Sequence, residues 1–299
     1  MKARILILCL VLLAACQQME TGFDGENAIE GKCPSDSLFL TVKAVKRVDT
    51  KALSLDGNTL NAHWAANEKV GVYVNGTRCG QLTATPETDA TKATLSGTVT
   101  ATLKANDQIM LLFPDREDIT EGTKWDYTGQ AGAAPAGDLA ARFDYATASL
   151  TVESIEGTTV HTSTSSVSFQ NEQSIYRLDF KVNSSLKDVK WFSVSSNRNK
   201  LVTSRGYDNG WTSAYGVLSV SLGTASASPY VSLRNENTNE ADTYTFFVRD
   251  SNNNLYTGTK EIPAAKLGYG KFLAPSVVLS AYSVTTQASG DISNTQDIF

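Results

Sequence analysis

From residue 38 onward the chain is a series of short runs in which apolar and polar residues alternate. In "LFLTVKAV", Leu38, Leu40, Val42 and Ala44 fall on one face. In "KVGVYVNG", Val70, Val72 and Val74 share a face, and the run ends in Asn75-Gly76, a dipeptide suited to a tight hairpin turn. "TVTATLKANDQIMLLFP" alternates through Val99, Ala101 and Leu103 and then turns continuously apolar. The cleanest alternation is "YRLDFKVN", with Tyr176, Leu178, Phe180 and Val182 on one face and Arg177, Asp179, Lys181 and Asn183 on the other. "VKWFSVSS", "GVLSVSLG", "SPYVSL", "DTYTFFVRD" and "PSVVLSAYSV" keep the same period, and Ser, Thr, Gly and Asn fill the gaps. No stretch holds a helical period beyond a turn or two. Successive side chains of a strand point to opposite faces, so the pattern predicts an all-β protein made of sandwiches or barrels. Two long small-residue segments, "GQAGAAPAGDLAA" and "EGTTVHTSTSS", precede a renewed alternation at "SVSFQNEQSIYRLDFKV". That break predicts an N-terminal β-sandwich domain over 38–170 and a C-terminal one over 171–299.

The N-terminus follows different rules. The apolar run from Ile5 to Ala15 is eleven residues, against the roughly 20 that a membrane-spanning helix needs. Lys2 and Arg4 flank it on one side and the small residues Ala14 and Ala15 on the other, as in a secretory signal peptide over 1–15. The ending Leu13-Ala14-Ala15-Cys16 resembles the lipobox of bacterial lipoproteins, in which the cysteine is diacylated and becomes the first residue. The resemblance implies lipid on Cys16 and attachment to the outer membrane. The polar stretch that follows, 16–37, reads as a flexible tether.

Charge and cysteine content narrow the partners. The whole chain carries −5; loss of Lys2 and Arg4 with the signal peptide leaves 24 basic and 31 acidic residues, a net −7. An acidic chain without basic clusters is a poor nucleic-acid binder. About 280 mature residues can bury a core without covalent staples. Cys33 and Cys79 remain after Cys16, and the sequence is equally consistent with one bridge or two thiols.

Catalytic chemistry is sparse. His63 and His161 are the two histidines, and neither has a partner suggested by spacing. No nucleophile elbow, phosphate loop, dinucleotide loop or zinc spacing occurs, and "GYGK" at 268–271 lacks the rest of a phosphate-binding loop. The scattered carboxylates do not point to a glycosidase pair. The chain is therefore expected not to be an enzyme and to need no cofactor or metal. "DSNNNLYTGTKE" has the oxygen spacing of a calcium loop at Asp250, Asn252, Asn254 and Glu261. Leu255 stands where that loop needs glycine, and a turn between two strands explains the same asparagines. Of the tryptophans, Trp191 is expected in the core. Trp211, in "YDNGWTSAYG", is the best candidate for exposure, as a loop anchor before a sugar platform.

Several of these segments resemble, in order, the fimbrillin family of Bacteroidetes surface lipoproteins. A strand ending in basic residues is followed by "NTLNAHWAANEKVGVYVNG", similar to the family's tryptophan, short gap, Gly-Asp and strand, with Asn67-Glu68 standing in the Gly-Asp place. "TATLKANDQIMLLFPD" resembles the family's strand ending in an aromatic-proline pair, and "SVSFQNEQSIYRLDFKVNSSLKDVKWFSVSS" its opening of the second domain. "KEIPAAKLGYGKFLAPSVVL" resembles its closing pattern. The likeness spans about 38 to 285. It implies two tandem transthyretin-like β-sandwich domains and a role as a subunit of a type V fimbria. It also implies a maturation protease that cuts after a basic residue and frees a groove, which accepts a strand from another fimbrial subunit.

On that resemblance the cut falls between Arg47 and Val48, removing the strand at 38–45. Residues 16–47 hold four basic and five acidic residues, so the product carries −6. The other reading of Lys43, Lys46 and Arg47 is the solvated end of an edge strand, where charges deter aggregation. At the other terminus Val278, Tyr282 and Val284 share a face and form a candidate donor strand for a neighbour. The competing reading makes 277–286 the last strand of the chain's own second domain. The alternative function is a permanently anchored surface lipoprotein that binds a glycan or host ligand.

Overall fold

The computed structural model describes residues 37–46, 54–56, 59–61, 63–116, 123–132, 139–207, 211–236 and 238–283. The signal peptide, Cys16, the tether up to residue 36, Arg47, Val48 and Val284 lie outside the described residues. Almost all regular structure is strand, as the alternation predicts. The first half contains β1 (Ser37–Lys46), the hairpin β2 (Ser54–Asp56) and β3 (Thr59–Asn61), β4 (Lys69–Val74), β5 (Thr77–Pro86), β6 (Lys92–Thr100) and β7 (Gln108–Phe113). It continues with β8 (Thr123–Asp126), β9 (Ala146–Glu156), β10 (Thr159–Thr162) and β11 (Ser166–Asn171). The second half holds β12 (Ser174–Arg177), β13 (Asp179–Val182), β14 (Ser185–Leu186), β15 (Val189–Ser196), β16 (Val202–Tyr207), β17 (Trp211–Tyr215) and β18 (Leu218–Ser226). Then come β19 (Tyr230–Leu233), β20 (Asp242–Asp250), β21 (Leu255–Ile262), β22 (Phe272–Leu273), β23 (Ser276–Val278) and β24 (Ser280–Ala281).

β1 closes the first half into a ring. It runs antiparallel to β6 from Ser37 opposite Thr100 to Val45 opposite Lys92. Its other edge runs parallel to β10 and then to β11. β9, β7, β4 and β5 complete the circuit, so the order β1-β11-β9-β7-β4-β5-β6 returns to β1. Leu38, Leu40, Val42 and Ala44 all point into the ring, against Leu82, Leu95, Val99, Leu150 and Phe169. Asn75 and Gly76, with φ of 49° and 80°, make the left-handed turn expected between β4 and β5.

The edge-strand reading of Lys43, Lys46 and Arg47 does not hold for the described part. β1 is bonded on both edges, and Lys46 is buried. Lys43 alone behaves as a solvated charge, 3.5 Å from Glu87. A charge at a strand's end is hidden or exposed according to what packs over it, which the strand's own period does not encode.

β20 is the central strand of the largest sheet of the second half, in the order β18-β15-β20-β21-β24. Tyr176, Leu178, Phe180, Phe192, Val194, Val220, Phe246 and Val248 build its core. The stretch "YRLDFKVN" breaks at Leu178 into β12 and β13, yet its inward residues Tyr176, Leu178 and Phe180 are buried. The continuous apolar run of β7 has a plain cause. Ile109, Leu111 and Phe113 enter the first core, while Leu112 enters the second and Met110 packs against it. A strand covered on both faces loses its alternation. Residues 123–130 and Tyr145 also serve the second half: β8 pairs with β16, Gln130 exchanges hydrogen bonds with Ser232, and Trp125, Tyr127 and Tyr145 lie in the second core.

Trp191 is a correction. It is half-buried, with the Arg249 guanidinium 5.8 Å from its ring, while Val189, Phe192 and Val194 take the core positions. A bulge between Val189 and Trp191 shifts the register. One extra residue reverses which side chains face inward.

Candidate functional site

The part of the molecule that sequence reasoning singles out and the structure builds most elaborately is the seat of β1. At its C-terminal end the alternation continues past Ala44 to Lys46, so geometry puts a lysine where an apolar residue would sit. Lys46 Nζ lies 2.7 Å from Glu68 Oε2 and donates to the His63 carbonyl at 3.1 Å. It sits 4.1 Å from the ring centres of both Trp64 and Phe113. Trp64 in turn meets Phe113 and Phe169 edge-on, at 5.5 and 5.4 Å. Two aromatic faces and a carboxylate therefore enclose the ammonium, a combination that attracts cations strongly once water is excluded. Burial pulls the Lys46 pKa below its ordinary value, with the Glu68 charge and hydrogen bond acting in the opposite direction.

The residues between Trp64 and β4 explain how the acid is aimed. Asn67 has a φ of 68°, a left-handed conformation that glycine and asparagine tolerate best. Its N–H bonds the Ala84 carbonyl, and the Ala65 N–H donates to Glu68 Oε2 at 3.1 Å. Asn67-Glu68 thus supplies a left-handed residue and then a carboxylate, the same two properties as Gly-Asp. The sequence does not reveal that the acid belongs with Lys46, because the partner lies 22 residues away and only closure of the ring brings them together.

Cys79 is disulfide-bonded, and its partner lies outside the described residues. Arg47 and Val48 lie there too, so the structure places only Lys46 of the candidate cleavage region. At the other end of the chain, residues 276–281 are built into the second half. β23 runs parallel to β13, β24 pairs with β21, and Val277 and Leu279 are buried. Val278 is 65 % exposed and Tyr282 is 44 % exposed, with the Tyr282 ring edge-on to Phe247. The face that carries Val278 and Tyr282 is thus the outward one.

Trp211 lies on a strand. It stacks on the buried Trp125 at 4.3 Å and 14°, and the Arg205 guanidinium is 4.6 Å from its ring. Glu236 beside it accepts from Ser213 at 2.6 Å and Tyr215 at 3.0 Å. Burial opposes ionisation of Glu236, but these bonds and the charges of Arg234 and Arg205 outweigh it and lower its pKa. The cluster holds β16, β17 and β8 together. His63 is exposed, and His161 is an exposed residue 3.7 Å from Glu156.

The calcium-like loop is a turn between β20 and β21. Asp250 accepts from the Asn252 and Asn254 N–H groups, the Asn254 amide and the Tyr256 hydroxyl. Lys187 Nζ reaches it at 2.8 Å. Among the described residues no group of three His, Cys, Asp or Glu side chains could hold a metal ion. Burial disfavours the Asp250 charge, but Lys187 and the turn's hydrogen bonds win and hold its pKa well below the carboxylate range. A carboxyl with a depressed folded-state pKa stabilises the fold above its unfolded pKa, near 4, and loses that contribution as pH falls. Asp250→Asn is expected to lower the thermal midpoint at pH 7 and to flatten its fall between pH 5 and 2. An acid limb identical to the wild type in melts across that range would contradict this.

No protein-family model matches the chain, and no curated protein matches it in sequence. Solved structures do resemble it. A candidate cell adhesion protein from Bacteroides ovatus is 14% identical, over 82% of this chain and 96% of that one, with a TM-score of 0.43. One from Bacteroides uniformis is 15% identical over the same shares, with a TM-score of 0.44. The tip fimbrial protein Mfa3 from Porphyromonas gingivalis is 11% identical, over 76% of this chain and 81% of that one, with a TM-score of 0.32. Its structural neighbours thus include adhesion and fimbrial proteins of Bacteroidetes.

Proposed function

We propose that this chain is a structural, adhesive subunit of a type V fimbria, non-enzymatic and exported to the cell surface as a lipoprotein. Two tandem transthyretin-like domains, 38–170 and 171–299, are part of this reading; two hydrophobic cores support a division in two, with Tyr73, Leu112, Trp125, Tyr127 and Tyr145 of the first segment joining the second core. The observation that carries it is β1. An N-terminal strand inserts four alternating apolar side chains into a ring that is otherwise open at that position, and it is followed at once by a basic residue suited to proteolysis. Removing such a strand leaves backbone donors and acceptors along both neighbours and an apolar slot between them. That is a template for strand addition, in which main-chain bonds give affinity and alternate side chains give specificity. The burial of Lys46 favours a cut after Arg47, because a protease reading Lys46 would have to draw it out of its seat.

The reading is tested on cells. Cys16→Ala is expected to abolish fatty-acid labelling and release or mislocalise the protein. Arg47→Ala is expected to leave a longer, monomeric, lipid-anchored form. Wild-type surface material that begins at residue 16, identified by N-terminal sequencing, would overturn maturation. The permanently anchored lipoprotein would then be the better reading, and the Cys79 disulfide favours it if the bridge reaches into the tether. The tail beyond residue 283 is proposed as the strand donated to a neighbour. Deletion of 286–299 is expected to give a folded, exported subunit that does not assemble.

A further inference from the structure

We infer that the β1 groove selects its occupant by charge as well as by apolar pattern, and that residues 272–299 of a second copy are not the donor. This rests on the strand-replacement reading above and names the chemistry of the partner. The groove has five inward positions, filled by Leu38, Leu40, Val42, Ala44 and Lys46. The first four need only apolar bulk. The fifth is walled by Trp64 and Phe113, with the Glu68 carboxylate and the His63 carbonyl at its end.

With β1 gone, an incoming strand must fill that fifth position. An ammonium there regains one charge-assisted bond and two aromatic faces. A neutral side chain leaves a part-buried carboxylate without its cation, which costs more than the pair itself contributes. The seat therefore discriminates mainly by penalising the wrong strand. A buried ion pair is a weak way to gain stability, since an apolar residue of similar size often serves as well. Selection is the property such a pair does supply.

This chain's own tail lacks what the seat requires. From Phe272 to Phe299 there is no Lys or Arg, and the stretch beyond residue 283 carries Asp291 and Asp297. Offered to a neighbouring copy, it would bring carboxylates or neutral groups to Glu68. The donor for this groove is an extended segment with four alternating apolar residues and a lysine at the next inward position, a pattern that residues 272–299 do not offer. The tail of this chain, if donated, enters a groove of another kind.

The full mature chain, cut after Arg47 under reducing conditions, is offered labelled peptides and their affinities are measured by fluorescence anisotropy. The peptides are residues 37–46, the same sequence with Lys46→Met, and residues 284–299. The wild-type peptide is expected to bind at least tenfold more tightly than the Lys46→Met peptide, and the tail not to bind. In a Glu68→Gln chain the preference should shrink to below threefold. Equal affinity for the Lys and Met peptides, or uptake of the tail, overturns the selection while leaving strand replacement intact. Failure to take up any peptide, the wild-type one included, overturns strand replacement and the selection with it.

Discussion

Cutting after Arg47 and drawing off the fragment is expected to unfold the first ring unless another strand is supplied. Leu38, Leu40 and Val42 are at most 7 % exposed in β1. Full burial of each such side chain is worth about 1.5–3 kcal/mol, so the three contribute about 4.5–9 kcal/mol. A whole domain has a net stability of about 5–15 kcal/mol. β6, β10 and β11 also lose their partner, leaving unpaired backbone groups beside an apolar slot. The expected result is a thermal midpoint lower by more than 10 °C, or loss of the first transition, with aggregation on standing. Addition of the 37–46 peptide should restore it. In the uncut protein Val42→Asp should destabilise by about 4 kcal/mol or more, since it buries an unpaired carboxylate. Differential scanning calorimetry of cut, peptide-restored and mutant chains checks all three. A cut, fragment-free chain that melts like the intact one would show that β1 is dispensable.

The second large effect concerns the Cys79 disulfide. Four cysteines occur in the chain, at 9, 16, 33 and 79. If, as proposed, Cys9 is removed with a signal peptide and Cys16 takes lipid, Cys33 is the cysteine left to be tested as the partner of Cys79. The bridge would close a loop of 46 residues, counted as 79 minus 33, worth about 4 kcal/mol by chain entropy. Its functional weight is greater than its stability. After a cut at Arg47 the fragment 16–47 would stay joined to β5 and hold β1 over its groove. The cut chain is therefore expected to run as one species on a non-reducing gel and to shed the fragment only with reductant. Cys33→Ser should release it without reductant. If the fragment leaves the oxidised wild-type chain, the bridge does not cross the cut. If it stays, strand replacement needs a thiol–disulfide exchange step, and without one the molecule remains an anchored surface protein.

Both predictions draw on residues whose meaning changed between chain and fold. The inward set of β1, the hairpin at Asn75-Gly76 and the all-β class were legible because a strand's period is two and a left-handed turn demands Asn or Gly. Those are local properties, decided within a few residues. Lys46 was legible only as a charge near a possible cut. Its seat needs Trp64 and Glu68 from one loop and Phe113 from another strand, and no local rule joins them. The same holds for Trp191, where one bulge residue reverses the faces, and for β7, whose unbroken apolar run becomes intelligible once two cores press on it. Sequence alone therefore determined the all-β class and the inward face of regular strands such as β1, since backbone geometry repeats within a segment; it did not show β10, which lies within the small-residue segment "EGTTVHTSTSS", or the faces beyond a bulge. Which polar groups meet, which strand closes the ring and what a vacated groove would demand were decided by the tertiary structure, because those are contacts between residues that the chain itself keeps far apart.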